Sequence, residues 1–182
     1  MVNPDLILVA ALFGPLFVGL VLHGFCIKFG WLRSLARPID HGALLRGRRL
    51  FGDNKTYRGI VAVAFGAAVG YAAFPPAALG LTRLGAASFG FVMGGAAMLS
   101  ELPNSLLKRQ LGIAPGAAAL GPGAVLFYLL DQVDVLLGTW PLLSFRVTPT
   151  VPLVLWSAAF VVVVHQVISI LGAALGMRTS AR

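Results

Sequence analysis

Two aspartates, Asp131 and Asp134, stand inside an otherwise apolar stretch, L-L-D-Q-V-D-V-L-L. An ionised aspartate at the centre of a membrane helix costs roughly 2.5 to 3.5 kcal/mol, so both need compensation. Their spacing puts them on one helix face, where two carboxylates repel unless a cation lies near. Because carboxylate oxygens suit Mg²⁺ bound to substrate phosphates, we predict a magnesium site at this pair. The alternative is a structural ion pair with Lys108, Arg109 or an arginine of the first loop.

A second group of polar residues follows an apolar run, in S-E-L-P-N-S-L-L-K-R-Q-L-G-I-A-P-G from residue 100 to 116. Lys108 and Arg109 are its basic residues, and the turn-forming pair Pro115 and Gly116 ends it. This pattern predicts a turn whose cations close over an anionic ligand, although a topology signal would also explain them. Two further candidates for hydrogen bonds to the ligand or to metal-bound water precede them, Asn104 and Ser105.

The third group is the basic sequence R-G-R-R-L-F-G-D-N-K-T-Y-R-G from residue 46 to 59. Arginine forks and a lysine suit phosphate oxygens, and glycines let backbone N–H groups approach them. A basic patch at the membrane surface is the alternative, but a purely electrostatic patch has no use for the turn-prone G-D-N inside it. We therefore predict phosphate binding here, with these candidates: Arg49, Gly52, Asp53, Asn54, Lys55, Thr56 and Arg58.

The elements that position these groups must be membrane helices. Of the 182 residues, 58% are hydrophobic and 11% are charged, whereas soluble domains carry roughly 25% charged residues. An apolar helix needs about 20 residues to cross the bilayer core. The sequence predicts an all-α polytopic membrane protein, one domain with about five transmembrane helices, at residues 6–27, 60–79, 84–102, 117–137 and 152–175.

Charge placement predicts the orientation of these helices. Twelve of the 14 Lys and Arg residues, including Arg178 and Arg182, fall in alternate segments, namely the loops 28–59 and 103–116 and the C-terminal tail. By the positive-inside rule these segments are cytoplasmic and the N-terminus is outside. Nucleic-acid binding is not expected, because no recognition motif accompanies the net charge of +8. The single cysteine, Cys26, excludes a disulfide framework.

Three of these motifs, F-G-D-N-K-T-Y-R-G, N-S-L-L-K-R-Q-L-G-I-A-P-G and D-Q-V-D, resemble in sequence and order those of the CDP-archaeol synthase family. This family belongs to the membrane CTP:lipid-phosphate cytidylyltransferases, which include CDP-diacylglycerol synthase. The resemblance covers residues 46–134, about half of the chain. It implies transfer of CMP from CTP to an archaeal ether-lipid phosphate, or to phosphatidic acid, with release of pyrophosphate.

The resemblance also implies roles for individual residues. Asp131 and Asp134 would hold Mg²⁺, and four cations would neutralise phosphate oxygens, namely Lys55, Arg58, Lys108 and Arg109. We expect CTP, a lipid phosphate and membrane lipids as partners, and an active site on the cytoplasmic side of the cell membrane. The sequence neither predicts nor excludes a homo-oligomer.

A small ion or solute transporter is the alternative function, with the aspartate pair as a proton or cation site. Such a protein would need polar residues across a pore and, often, inverted repeats. Neither is visible in the sequence, and the basic loops would have no role.

Overall fold

The computed structural model describes residues 3–117 and 119–175 and shows a bundle of helices. In this part of the chain the helices are α1 (Pro4–Phe13), α2 (Phe17–Lys28), α3 (Tyr57–Ala73), α4 (Arg83–Gln110), α5 (Ala124–Leu143) and α6 (Val151–Ala174). A short antiparallel hairpin between α2 and α3, formed by β1 (Leu44–Leu45) and β2 (Arg48–Arg49), is the departure from the all-α prediction. The arginines Arg178 and Arg182 used in the orientation argument lie outside the described residues.

Threonine side chains set the start of three helices. The hydroxyl of Thr56 accepts a hydrogen bond from the N–H of Gly59 at the start of α3. Thr82 and Thr150 do the same for α4 and α6. Each cap satisfies a backbone donor that the first helical turn leaves without a partner.

The helices have the lengths of membrane spans. Four segments of the described chain are long and apolar enough to cross a bilayer: Pro4–Lys28, Arg83–Gln110, Gly121–Leu143 and Val151–Ala174. Helix α3 is also apolar, but its 17 residues span only about 25 Å. The predicted set of five apolar helices is therefore present, and its last member differs from prediction by one residue at each end.

Two boundaries differ from the prediction for reasons that involve proline. Helix α3 ends at Ala73 rather than at residue 79, because Pro75 and Pro76 follow and lack the N–H that a helix requires. Helix α4, in contrast, continues through Pro103 to Gln110. A proline is tolerated in a membrane helix where its surroundings satisfy the freed backbone group. The predicted loop 103–116 is thus helical over its first half.

The fourth span is shifted along the chain relative to its prediction. It begins with a 3-10 turn at Gly121–Gly123 and continues as α5 to Leu143, beyond the expected end at residue 137. Asp131 and Asp134 consequently lie near the middle of this span. The end of α4 lies opposite them, because its last turn contacts Asp131.

The apolar core and the polar residues occupy opposite ends of the bundle. Helix α3 packs between α2 and α4, and a Cβ added at Gly66 would lie 2.5 Å from the Cα of Gly19, so α2 and α3 approach closely. Buried side chains such as Phe13, Tyr71 and Leu143 fill the end away from the connections 29–56 and 111–120. The basic segment 46–59 and the last turn of α4 lie toward the other end.

Candidate active site

The two aspartates of α5 face α4 and share one partner there. The amide nitrogen of Asn104 donates to Oδ1 of Asp131 at 2.8 Å and to Oδ2 of Asp134 at 3.4 Å. Asp134 is buried, whereas the side chain of Asp131 is 38% exposed. Both carboxylates therefore lie on one helix face, as their spacing predicted, and Asn104, predicted only as a partner of the ligand or of metal-bound water, bridges them.

Lys108 supplies the charge that compensates Asp131. Its ammonium group contacts both carboxylate oxygens of Asp131, and its side chain is 9% exposed. The same nitrogen lies 5.7 Å from the centre of the Phe127 ring, which adds a cation–π contact. The ion pair that the sequence left as an alternative is therefore present. This ion pair does not exclude a catalytic role for Lys108, because the lysine lies beside the carboxylates.

Arg109 is buried beside this pair without a hydrogen-bond partner for two of its donors. The residue is 7% exposed, and Nε and Nη1 have no acceptor among the described residues. A guanidinium group remains charged in proteins, and unpaired buried donors are costly. The Nε of Arg58 is also buried without an acceptor among the described residues. Both arginines thus present donors that suit an anion.

The basic segment 46–59 docks onto the end of α4. Arg48 donates to the carbonyl oxygen of Gln110, and the side chain of Gln110 donates to the carbonyl of Arg49 at 3.4 Å. Gly52 has a φ of +95°, and a Cβ at this position would lie 2.7 Å from Cγ of Pro115. A glycine is required there for both reasons. The second and third sequence groups therefore meet through Gly52 and Pro115.

Lys55 reaches the site through a residue that the sequence analysis left out. Its ammonium group pairs with Glu101, one helical turn before Asn104 on α4. Glu101 is one of the six acidic residues of the chain and lies in an apolar helix. Like the two aspartates, Glu101 is a costly charge in an apolar helix, so the sequence contained a signal for it.

Other predicted site residues have structural partners or lie apart from the carboxylates. Arg49 pairs with Asp40 at 2.6 Å and with Asp53 at 2.8 Å. Thr56 caps α3, and Ser105 is half-buried without a hydrogen bond among the residues the structure describes. Asn54 and Gly116 are exposed.

Asp40 is a second residue that the sequence analysis missed. Burial raises the pKa of its carboxyl, but hydrogen bonds from Arg49 and from the backbone N–H groups of Phe51, Gly52 and Gly42 outweigh that effect. The pKa is consequently held well below its ordinary value of 3.8. Asp40 lies in a loop outside the spans, where a single aspartate has no sequence signature.

A small cavity adjoins Asp134, and Lys108 is not among the residues that line it. Its volume is about 50 Å³, its walls are mostly apolar, and Glu101, Gln132 and Asp134 line its polar part. Gln132 is 6% exposed, and its Oε1 has no partner within the described ranges. A cavity of this size holds no more than a few water molecules.

The oxygen atoms at the aspartate pair suit a magnesium ion that also binds a substrate. No cluster of three or more His, Cys, Asp or Glu residues occurs in the described part of the chain. Mg²⁺ does not require one, because it commonly uses one or two carboxylates with substrate phosphates and water. Besides the two carboxylates, Asn104 Oδ1 is a buried oxygen without a partner among the described residues.

These features define an intramembrane enzyme whose charged site lies between helices beside a basic loop. The family model for CDP-archaeol synthase, described as CarS-like, matches residues 12–181. The chain belongs to this family, as its three motifs predicted. It is accordingly a CTP-dependent nucleotidyltransferase, and the comparison gives no support to the transporter alternative.

Individual relatives and a solved structure agree with this assignment. The CDP-archaeol synthase of Methanoculleus marisnigri is 33% identical over 152 residues, which cover 78% of this chain and 87% of the relative. The CDP-archaeol synthase of Aeropyrum pernix is 35% identical over 146 residues, covering 78% and 76%. A solved structure described as an intramembrane enzyme for archaeal membrane lipids biosynthesis matches 88% of this chain and 92% of its own, with a TM-score of 0.60 and 25% identity.

Proposed function

We propose that the protein transfers CMP from CTP to the phosphate of an archaeal-type ether lipid, producing a CDP-activated lipid and pyrophosphate. The observation that carries the proposal is the meeting of an aspartate pair with buried cations at one place inside a membrane bundle. Relatives named CDP-archaeol synthase support this choice of nucleotide and lipid.

The reaction requires little proton transfer. An oxygen of the lipid phosphate attacks the α-phosphorus of CTP, the bond between that phosphorus and the bridging oxygen breaks, and pyrophosphate leaves. Because the attacking oxygen is already anionic, no general base is needed. Catalysis then depends on aligning the two phosphates and neutralising their charge.

Asp131 and Asp134 are the residues that would hold Mg²⁺, with Asn104 Oδ1 as a further oxygen ligand. A bound magnesium ion would neutralise and orient the triphosphate. The protein contributes two carboxylates that are both hydrogen-bonded to one amide, which orients them toward the same side of α4.

Arg109 is the cation best prepared to bind phosphate oxygens. Two of its donors lack acceptors in the described chain, so a phosphate adds hydrogen bonds without breaking others. Arg58 offers one such donor. Lys108 and Lys55 must exchange a carboxylate partner for a phosphate, because Asp131 and Glu101 occupy them here.

The location of the site suits one substrate from water and one from the bilayer. The loop 46–59 and the turn around Pro115 meet at the end of α4, whose last turn contacts Asp131. CTP would enter from this end, and the lipid tails would stay beside the helices. By the positive-inside rule this end faces the cytoplasm, which supports a place in the cell membrane.

The test uses purified protein in lipid nanodiscs, CTP labelled at the α-phosphate, Mg²⁺, and two acceptors: an isoprenoid ether-lipid phosphate and phosphatidic acid. We expect label in the ether lipid and release of one pyrophosphate for each lipid formed. Label mainly in phosphatidic acid would overturn the choice of acceptor. Label in neither lipid would overturn the proposed function.

A further inference from the structure

Asp40 is a fully buried carboxylate in the connection 29–56 between α2 and α3, which contains no membrane helix. Its side chain is 0% exposed. It accepts hydrogen bonds from the N–H groups of Gly42 at 3.1 Å, Phe51 at 3.0 Å and Gly52 at 3.1 Å. Arg49 donates to the same carboxylate through Nη2 at 2.6 Å and Nε at 3.4 Å.

These donors come from both sides of the β1–β2 hairpin. Gly42 precedes β1, whereas Arg49 ends β2 and Phe51 and Gly52 follow it. The carboxylate therefore closes the base of the hairpin. It also fixes the backbone where the G-D-N-K turn begins, since Gly52 is the first residue of that turn.

The turn is then linked to Lys55 and back to the residue that precedes Asp40. The carbonyl of Gly52 accepts from the N–H of Lys55 at 3.2 Å, and the carbonyl of Lys55 accepts from the N–H of Ile39 at 2.9 Å. Gly52 in turn packs against Pro115. A displacement of Gly52 would thus move Lys55 away from Glu101 and open the contact with Pro115.

We infer that Asp40 is a positioning residue for the nucleotide. It acts through Gly52, which packs against Pro115, and through Lys55, which pairs with Glu101, and it touches no substrate itself. This inference rests on the proposed function, because the G-D-N-K turn is taken to bind the triphosphate.

The chemistry of the contacts requires a carboxylate at this position. Every partner described for Asp40 is a hydrogen-bond donor. An ionised carboxylate only accepts, whereas an asparagine of the same size presents an NH₂ group to some of these donors. Buried donors left without an acceptor are costly, so Asp40→Asn loosens the turn without changing side-chain volume.

The experiment compares Asp40→Asn with Asp5→Asn, the same change at the far end of the first span. For each variant, kcat and the KM values for CTP and lipid are measured, together with amide exchange of peptides covering residues 50–55. We expect Asp40→Asn to raise the KM for CTP about tenfold or more, as loss of a charged hydrogen bond does, with a smaller change in kcat and lipid KM. Peptides 50–55 should exchange faster, and Asp5→Asn should behave as wild type.

Two results would overturn the inference. One is faster exchange with an unchanged KM for CTP, and the other is a lower kcat at unchanged KM, which indicates loss of folded enzyme only. If Asp40→Asn does not fold, the wild type still provides a test: CTP must slow exchange of peptides 50–55, and no change on adding CTP refutes the role. A wild type that transfers no CMP would instead refute the proposed function, so the two failures are distinguishable.

Discussion

Lys108, in the last turn of α4, contacts both carboxylate oxygens of Asp131, in the middle of α5. These are the oxygens that a magnesium ion would need. Under the proposed function the lysine and the metal would therefore compete for Asp131, and a phosphate that attracts the ammonium group would favour the metal. The Phe127 ring beside Lys108 stabilises the lysine in its position against Asp131.

This competition predicts an unusual effect of Lys108→Met. The variant leaves Asp131 and Asp134 without the lysine, so we expect Mn²⁺, used as a probe for Mg²⁺, to bind more tightly in the absence of nucleotide, while CMP transfer slows. Lys55→Met is the matched control, because Lys55 pairs with Glu101 instead. Titration with Mn²⁺, followed by electron paramagnetic resonance, measures metal binding to both variants. Unchanged or weaker Mn²⁺ binding in Lys108→Met would contradict the competition.

Replacing either aspartate should remove the metal site. Asp131→Asn and Asp134→Asn each delete one carboxylate charge, and metal neutralisation of a triphosphate is worth several kcal/mol. We expect kcat for CMP transfer to fall about a hundredfold or more in both variants. Assays over a range of Mg²⁺ concentrations separate weaker metal binding from slower chemistry. Near-normal turnover in both variants would refute the metal assignment.

Arg109 offers a test that separates function from stability. Its buried guanidinium has two donors without acceptors in the described chain, so Arg109→Met removes a poorly compensated charge from the bundle. We expect an equal or higher thermal midpoint, because replacing a poorly compensated buried charge by an apolar side chain is often stabilising. CTP binding should weaken about tenfold or more through loss of charged hydrogen bonds. A large fall in the midpoint would show that Arg109 has a structural partner.

The distance between α4 and α5 should also control activity. A Cβ at Gly138 would lie 2.3 Å from the carbonyl oxygen of Ala96, whereas a Cβ at Gly95 would meet nothing within 4 Å. Gly138→Ala should therefore destabilise the protein by about 1 to 3 kcal/mol and separate Asp131 from Asn104, and Gly95→Ala should not. Thermal midpoints and transfer rates of both variants check this. Equal behaviour of the two variants would contradict the packing argument.

The sequence predicted the parts of this protein that depend on local chemistry. Apolar length determined the spans, and the cost of charge in a bilayer selected Asp131 and Asp134. The continuation of α4 past Pro103 was missed, because it depends on neighbouring helices that satisfy the backbone. Asp40 was missed for a related reason: its importance comes from partners 9 to 12 positions away in sequence. Local patterns contain no information about such contacts.

Asp40 should make the stability of the connection 29–56 depend on pH. Its pKa in the folded protein lies below 3.8, so the folded loop binds fewer protons than the unfolded loop as pH falls. The stabilisation is fully present above the unfolded value, and it decreases as pH falls through 3.8 towards the folded pKa.

Amide exchange of peptides 50–55, corrected for the intrinsic pH dependence of exchange, should show constant protection from pH 7 to pH 5 and loss of protection below about pH 4. Asp40→Asn should remove this transition, because an amide does not titrate in this range. A variant that keeps the same loss of protection would assign it to a group other than Asp40.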